Sequence, residues 1–283
     1  MPEHNIATVI SYCSNDYRWI KPCIDNVLSF SKQVIIPVCD HFFNGEEENK
    51  ELLERSYKEN PNGEFIEFEY DPESYRGMGL QRLNDPFTPI KYMVDIDPKE
   101  IWFWHQMQRL TGFKSVNDDI EYVLFLDVDE IVDMDRFTRW LYSFPYRDFN
   151  AIRFETYWYF RETRFRAIQT EDWNAITLVK KDKLTDEAFF MHDSERLNFV
   201  NFVPGNKQIH TVGVDGLPMI HHYSWVRTHE EMLKKVRTWG HARDKDWAPD
   251  VNKEFAREFV PEKDKDFVHQ YDFVEVPPYG GIK

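Results

Sequence analysis

The chain has 283 residues, 42% of them hydrophobic and 16% aromatic, enough for one large α/β domain with a full core. Its formal net charge of −15 leaves no basic surplus to neutralise phosphates, which excludes nucleic acid and anionic membrane surfaces as expected partners. Cys13, Cys23 and Cys39 are odd in number and are expected as reduced thiols rather than a disulfide or zinc framework. No charged-then-apolar leader and no apolar run of membrane-spanning length occur, so a soluble, cytoplasmic protein is expected.

Residues 6–13 (IATVISYC) read as a buried strand, and Ser14-Asn15-Asp16 as the turn that starts a helix. Ile20, Cys23, Ile24, Val27 and Leu28 recur at helical spacing, with Pro22 expected in the first turn. Residues 33–39 (QVIIPVC) give a second strand, ending at Asp40. A charged helix over 46–59 follows, with a thin apolar stripe of Leu52, Leu53 and Tyr57. Residues 64–70 give a third strand. The aperiodic segment 71–98 holds four prolines and two glycines, and a loop of that length is expected as a lid or an irregular wall of a site. A helix over 99–111 then packs Ile101, Trp102, His105 and Leu110.

Residues 122–132 (YVLFLDVDEIV) carry the strongest signal. Their apolar start reads as a buried strand that ends abruptly in Asp127, Asp129 and Glu130. A strand that throws carboxylates off its carboxyl end places them in the crevice where open α/β sheets bind ligands. Residues i and i+2 of an extended chain share a side, so Asp127 and Asp129 can converge on one divalent cation. As a site-facing carboxylate, Asp129 is expected to contribute little to core packing. A helix over 134–144 follows, and the order β-α-β-α-β-loop-α-β is that of the nucleotide-binding half of a doubly wound sheet. After Asn150 come an aromatic strand (151–160), a strand at 175–180, a weakly patterned stretch to Gly216, and a strand at 218–226. A helix over 228–242 opens on the capping-box pair Thr228 and Glu231. The segment from Pro261 is expected as a surface extension.

The Asp-x-Asp at Asp127 and Asp129 resembles the motif with which GT-A glycosyltransferases hold a metal and the diphosphate of a sugar nucleotide. Residues 219–235 (MIHHYSWVRTHEEMLKK) resemble the metal-binding segment of inverting GT-A families. These include the lipopolysaccharide-core type of family two and the bisecting-type N-acetylglucosaminyltransferases. The likeness runs through most of residues 5–243. It implies an α/β GT-A (Rossmann-like) mixed sheet flanked by helices, with a C-terminal helical extension. The expected division is 1–133 for nucleotide-sugar binding, 134–245 for the acceptor, and 246–283 as the extension.

The implied activity is metal-dependent inverting transfer of a hexosyl or pentosyl group from a UDP- or GDP-linked donor to a glycan or other hydroxyl acceptor. Mn²⁺ or Mg²⁺ is expected on Asp127, Asp129 and His222, with His221 as the alternative. Adjacent strand residues face opposite ways, so only one of the two imidazoles can reach the ion. Lys235 is implied as the phosphate-facing cation, and Ser11, Tyr12, Asn15 and Asp40 as donor contacts. Met191-His192-Asp193 resembles an apolar-His-Glu triplet whose acid is the catalytic base. That implies Asp193, with Asp in place of Glu, and leaves Glu195, Asp172 and Glu155 as alternatives. Tyr157, Trp158, Tyr159 and Trp173 offer faces on which acceptor sugars can stack, or core packing instead. Two other readings stay open. Haloacid-dehalogenase-like phosphatases also end a strand in Asp-x-Asp, but near the amino terminus and with Thr or Val where this chain has Ile131. A non-catalytic sugar-nucleotide- or glycan-binding protein would need no base.

Overall fold

A computed structural model describes residues 4–74, 101–190, 196, 199 and 207–282. The first half alternates strand and helix: β1 (Ile6–Ser11), α1 (Tyr17–Val27), β2 (Ser31–Cys39), α2 (Lys50–Glu59), β3 (Glu64–Phe68), α3 (Ile101–Lys114) and β4 (Tyr122–Asp127). β1 is buried at every position and β4 at all but Asp127, as apolar strands covered on both faces must be. Side chains sort by parity. Tyr122, Leu124 and Leu126 pack with Trp19, Ile20 and Ile24 of α1, whereas Val123 and Phe125 pack with Phe103, Trp104 and Met107 of α3.

These four strands are parallel and lie in the order β3-β2-β1-β4. The chain thus winds one way from β1 to β3, then returns to place β4 on the other flank of β1. The switch point falls between β1 and β4, where Ser11 and Asp127 are registered neighbours. Beyond β4 the sheet turns antiparallel, through β7 (Phe165–Lys180) and β6 (Ala151–Phe160). It ends in β9 (Ile220–Trp225) and the short β5 (Glu130–Val132), while β8 (Gln208–Thr211) pairs with β6. α4 (Met134–Ser143) covers the α1 face. α5 (His229–Thr238) and α6 (Ala248–Phe255) build a third, aromatic cluster with Trp158, Trp225 and Phe259. The α5 start carries the expected capping box, with Thr228 and Glu231 both engaged. Among the described residues no helix is long and apolar enough to cross a membrane, and the three cysteines are free thiols.

Several elements differ from the sequence expectation, each for a physical reason. Pro22 sits inside α1 rather than in its first turn. It leaves Arg18 without the usual i+4 donor, a cost offset by burial of Trp19, Ile20, Cys23, Ile24 and Val27. α3 does not bury a single stripe of Trp102 and His105, which are only partly covered. It buries Phe103, Trp104, Gln106, Met107, Gln108, Arg109 and Leu110, nearly its whole girth. Gly112 makes the close approach possible: a Cβ there would collide with Val9 and meet Pro37 Cγ at 3.1 Å. β7 begins at Phe165, ten residues before the expected strand at 175, because its first half is also zipped to β6, with Phe165 and Ala167 buried in the aromatic cluster.

The segment from Pro261 is not a surface extension. β10 (Phe273–Glu275) pairs antiparallel with β7, Phe273 opposite Ala167, and Val276 N donates to Arg164 O at 2.9 Å. Tyr279 then stacks on His221 with ring centroids 4.3 Å apart, and Met134 N donates to its hydroxyl at 3.0 Å. The expected lid at 71–98 lies outside the described residues after Ser74.

Candidate active site

A cavity of about 310 Å³ opens at the carboxyl ends of β1 and β4. The loop after β1 lines one side with Ser11, Tyr12, Cys13, Asn15 and Asp16. Asp127 and Asp129 stand between it and a wall from β9 and α5 that includes His222, Ser224, Trp225 and Lys235. Of the expected donor contacts, Ser11, Tyr12 and Asn15 therefore line the cavity. Ser11 Oγ is buried without a hydrogen-bond partner among the described residues. Tyr12 turns its hydroxyl into the core, 2.5 Å from Ser56 Oγ, and its carbonyl accepts from Gln108 Nε2 at 2.7 Å. Asp40, at the end of β2, is not among the lining residues: it accepts from Tyr70 N at 2.8 Å and pairs with His41.

The two histidines part as strand alternation requires. His222 lines the cavity with Nε2 3.7 Å from Asp129 Oδ1. His221 faces the opposite side, with Nδ1 2.7 Å from Tyr159 OH and Nε2 4.0 Å from Asp133. Burial pushes the His221 imidazole below its ordinary value, against the opposing pull of Asp133. Tyr159 is thereby a core residue. Tyr157 is also buried, under the Arg166 guanidinium at 4.4 Å, and neither tyrosine lines the cavity. The expectation that both offer a face to a sugar is corrected: their partners are His221 and Arg166. Trp158, on the other face of β6, does line it. Glu155 points its carboxylate to Thr170. Asp193, Glu195 and the side chains of Asp172 and Trp173 lie outside the described residues.

The acids at the strand end are matched by buried cations. Arg109 of α3 donates to Asp127 Oδ1 at 3.0 Å, and Arg196 grips Glu130 with contacts of 2.5 and 2.6 Å. Glu130 in turn accepts from Asp127 N at 2.6 Å, closing the turn between β4 and β5. Arg227 joins the two halves: it reaches Asp16 at 2.5 Å and Asp129 at 3.0 Å. Lys235 Nζ lies 4.0 Å from Asp129. Burial alone would raise the Asp127 carboxyl, but the Arg196 and Arg109 guanidiniums outweigh it and hold the group well below the usual carboxylate range. Asp16 is likewise held down by Arg227 and Lys235 against its burial. For Glu130 burial wins, and its carboxyl is raised despite Arg196. Arg109, Arg196 and Arg227 were not singled out from sequence. The available signal for Arg109 was a run of polar residues, Gln106, Gln108 and Arg109, among the aromatic and apolar residues of its helix.

Among the described residues, no three His, Cys, Asp or Glu side chains already enclose an ion-sized space. The donor set nevertheless suits a divalent cation. Asp129 Oδ1 and His222 Nε2 stand 3.7 Å apart in the cavity, near the ~3 Å spanned by adjacent ligands of one ion. Asp127, 29% exposed, lines the same space with Oδ1 held by Arg109.

Glu48 braces the loop after β1: Ser14 N donates to it at 3.0 Å and so does the Ser14 hydroxyl. Burial raises its carboxyl from 4.5 to about 7, against those two hydrogen bonds. The folded state therefore holds this proton more tightly than the unfolded chain does. The stabilisation is complete below about 4.5 and is lost as pH rises through about 7. Glu48→Gln keeps an acceptor and cannot ionise. It is expected to flatten the fall in melting temperature between pH 5 and pH 8, and to exceed wild type at pH 8 by about 1–3 kcal/mol. Parallel pH profiles for the two proteins would rule this out.

The parallel β3-β2-β1-β4 block, the reversal at β7, and a short β5 returning after Asp-x-Asp define a GT-A-like, Rossmann-type fold. No family model and no curated protein matches the sequence. Among solved structures the chain is similar to 4-diphosphocytidyl-2C-methyl-D-erythritol synthase from Anaerococcus prevotii. There the identity is 10%, over 82% of this chain and 96% of that one, with a TM-score of 0.43. Residues 1–349 of S. aureus TarS match at 9% identity, over 82% of this chain and 63% of that one, with a TM-score of 0.40. The glycosyltransferase GlyE of Streptococcus pneumoniae matches at 14% identity, over 90% and 66%, with a TM-score of 0.37. The chain thus spans just under two thirds of the latter two. At these TM-scores the functional reading rests on the chain's own residues.

Proposed function

We propose that this protein is a glycosyltransferase that takes a sugar from a UDP- or GDP-linked donor and passes it, with inversion, to a glycan hydroxyl. The reading is carried by one observation. Asp127 and Asp129 leave β4 at the switch point of the sheet, and Asp129 Oδ1 stands 3.7 Å from His222 Nε2 across the cavity. Mn²⁺ or Mg²⁺ held by Asp129, His222 and Asp127 would supply Lewis-acid stabilisation of the departing diphosphate. The chain's own groups do the rest. The loop from Ser11 to Asp16 receives the nucleotide, and Arg227 ties that loop to Asp129, so that donor wall and ion site move as one. Lys235 offers its ammonium where negative charge develops on the leaving group; burial and the Arg227 charge lower its proton affinity, which makes an added anion welcome. Single displacement needs a carboxylate to take the acceptor proton, and Asp193 is assigned that role.

The test is turnover of UDP- and GDP-sugars with Mn²⁺. Slow release of nucleoside diphosphate, lost on addition of EDTA, is the expected result. Release of phosphate from p-nitrophenyl phosphate would instead support a phosphatase, and donor binding without turnover a binding protein. Asp193→Asn is expected to lower transfer by about 10² to 10⁴ while retaining donor affinity. Glu195→Gln and Asp172→Asn should have much smaller effects, and the reverse ranking would move the base.

A further inference from the structure

We propose that the cavity wall at Trp239, backed by the buried Trp225 and by Trp247, is the acceptor subsite, and that it takes a neutral saccharide by stacking the sugar's apolar face on the Trp239 indole. This rests on the glycosyltransferase reading and adds to it the chemical class of the acceptor. The sequence assigned acceptor stacking to the β6 aromatics, yet Tyr157 and Tyr159 turn away from the cavity. Of β6 Trp158 remains on the lining, and the β9–α5–α6 region adds three tryptophans there, Trp225, Trp239 and Trp247.

Position is the first argument. Lys235 Nζ lies 4.0 Å from Asp129 and 5.8 and 5.6 Å from the ring centroids of Trp225 and Trp239. The indoles therefore begin where the leaving group would end, and the loop from Ser11 to Asp16 forms a separate wall. Shape is the second. Trp225 and Trp239 meet at 89° and Trp239 and Trp247 at 74°, so the rings make a corner rather than a stacked block. Gly240, next to Trp239 in the chain, lies so close to Trp102 that an added Cβ would come within 2.7 Å of its ring.

Hydrogen bonding is the third argument. Trp247 Nε1 donates to His241 O at 3.0 Å, but Trp239 Nε1 is buried with no acceptor among the described residues. A buried indole N–H without an acceptor is costly, and a sugar hydroxyl on this wall would satisfy it. Charge at the corner favours a neutral occupant over an anion: the carboxylate of Asp244 stands beside it, paired with His241 at 2.8 Å, and Lys245, over the Trp247 ring, is paired with Asp250 at 2.7 Å. Stacking between C–H faces and indole, with hydroxyls at the rim, suits an uncharged saccharide.

The test uses the full chain with Mn²⁺ and either UDP or GDP. Methyl β-D-glucopyranoside, lactose and N,N′-diacetylchitobiose are titrated by saturation-transfer NMR and tryptophan fluorescence, with glucuronic acid as the anionic comparator. At least one neutral saccharide should bind and glucuronic acid should not. Trp239→Leu should weaken saccharide binding about three- to tenfold, with nucleotide affinity as in wild type. Trp239→Phe keeps a flat ring and should lose less, which covers the case in which the leucine variant is poorly folded. Absence of neutral saccharide binding overturns the proposal, as does undiminished binding in the Trp239 variants or preference for glucuronic acid. If saccharide binds through Trp239 but no sugar nucleotide is turned over, the transferase reading fails and the subsite stands. Turnover of a sugar nucleotide without neutral saccharide binding is the reverse case.

Discussion

Asp129→Asn is expected to cut sugar transfer by about 10²- to 10³-fold, the range for losing one pre-organised partner of developing charge. Manganese-dependent donor affinity, read by calorimetry, should fall with it. Asparagine is the informative replacement because Asp129 is buried and its Oδ2 accepts from Arg227 at 3.0 Å. An amide oxygen preserves that hydrogen bond while removing the anionic ligand. Alanine, harmless if the carboxylate were merely site-facing, would leave a buried guanidinium with Asp16 as its remaining acid. Removing one member of such a pair leaves an uncompensated buried charge. Unchanged manganese-dependent affinity in the folded Asn variant would sink the metal assignment. His222→Ala should act in the same direction, whereas His221→Ala should act on stability through Tyr159 and Tyr279.

The second large effect is on folding. Glu130 and Arg196 are both almost fully buried and meet through two short contacts, and Glu130 also holds the backbone of Asp127. Glu130→Ala should lower the free energy of unfolding by about 3–5 kcal/mol in urea titrations, the span for breaking a buried pair by deleting one partner. Glu130→Gln, which still offers an oxygen to the guanidinium, should cost less. If the alanine variant unfolds at the wild-type urea midpoint, the pair does not hold the β4–β5 turn. The consequence reaches the site. Asp127 is aimed by its own amide and by Arg109, so a loosened turn should raise donor KM before it abolishes turnover.

The parts of this fold that could be read from sequence are those governed by short-range pattern. Residues 122–126 are an uninterrupted apolar run and residues 6–13 one broken only by Thr8 and Ser11, which happens when a strand is covered on both faces. The split between His221 and His222 followed from the two-residue period of a strand. The members of the site brought in from far along the chain had no such signature. Arg109 sits on a helix whose burial all round erases amphipathic spacing, and Arg196 and Arg227 reach the strand end from distant segments. Tyr159 and Tyr157 show the opposite failure. An aromatic run reads as a stacking platform, and only tertiary placement reveals that His221 and Arg166 take the rings. The tryptophan corner was missed because Trp225, Trp239 and Trp247 are spread over separate elements and meet only in space.

The strap formed by residues 273–282 bears on how the molecule is made. β10 completes the edge of β7, and Tyr279 caps His221 and bonds to the start of α4, so residues 273–282 close packing built by segments that precede them in the chain. The central pairs are also far apart in the chain: β1 with β4, β5 with β9. Such long-range closure makes for slow folding with exposed intermediates. During synthesis β1 to β4 can pair before residues 273–282 have been made. The His221 side of the sheet lacks its Tyr279 cap until those residues have been made.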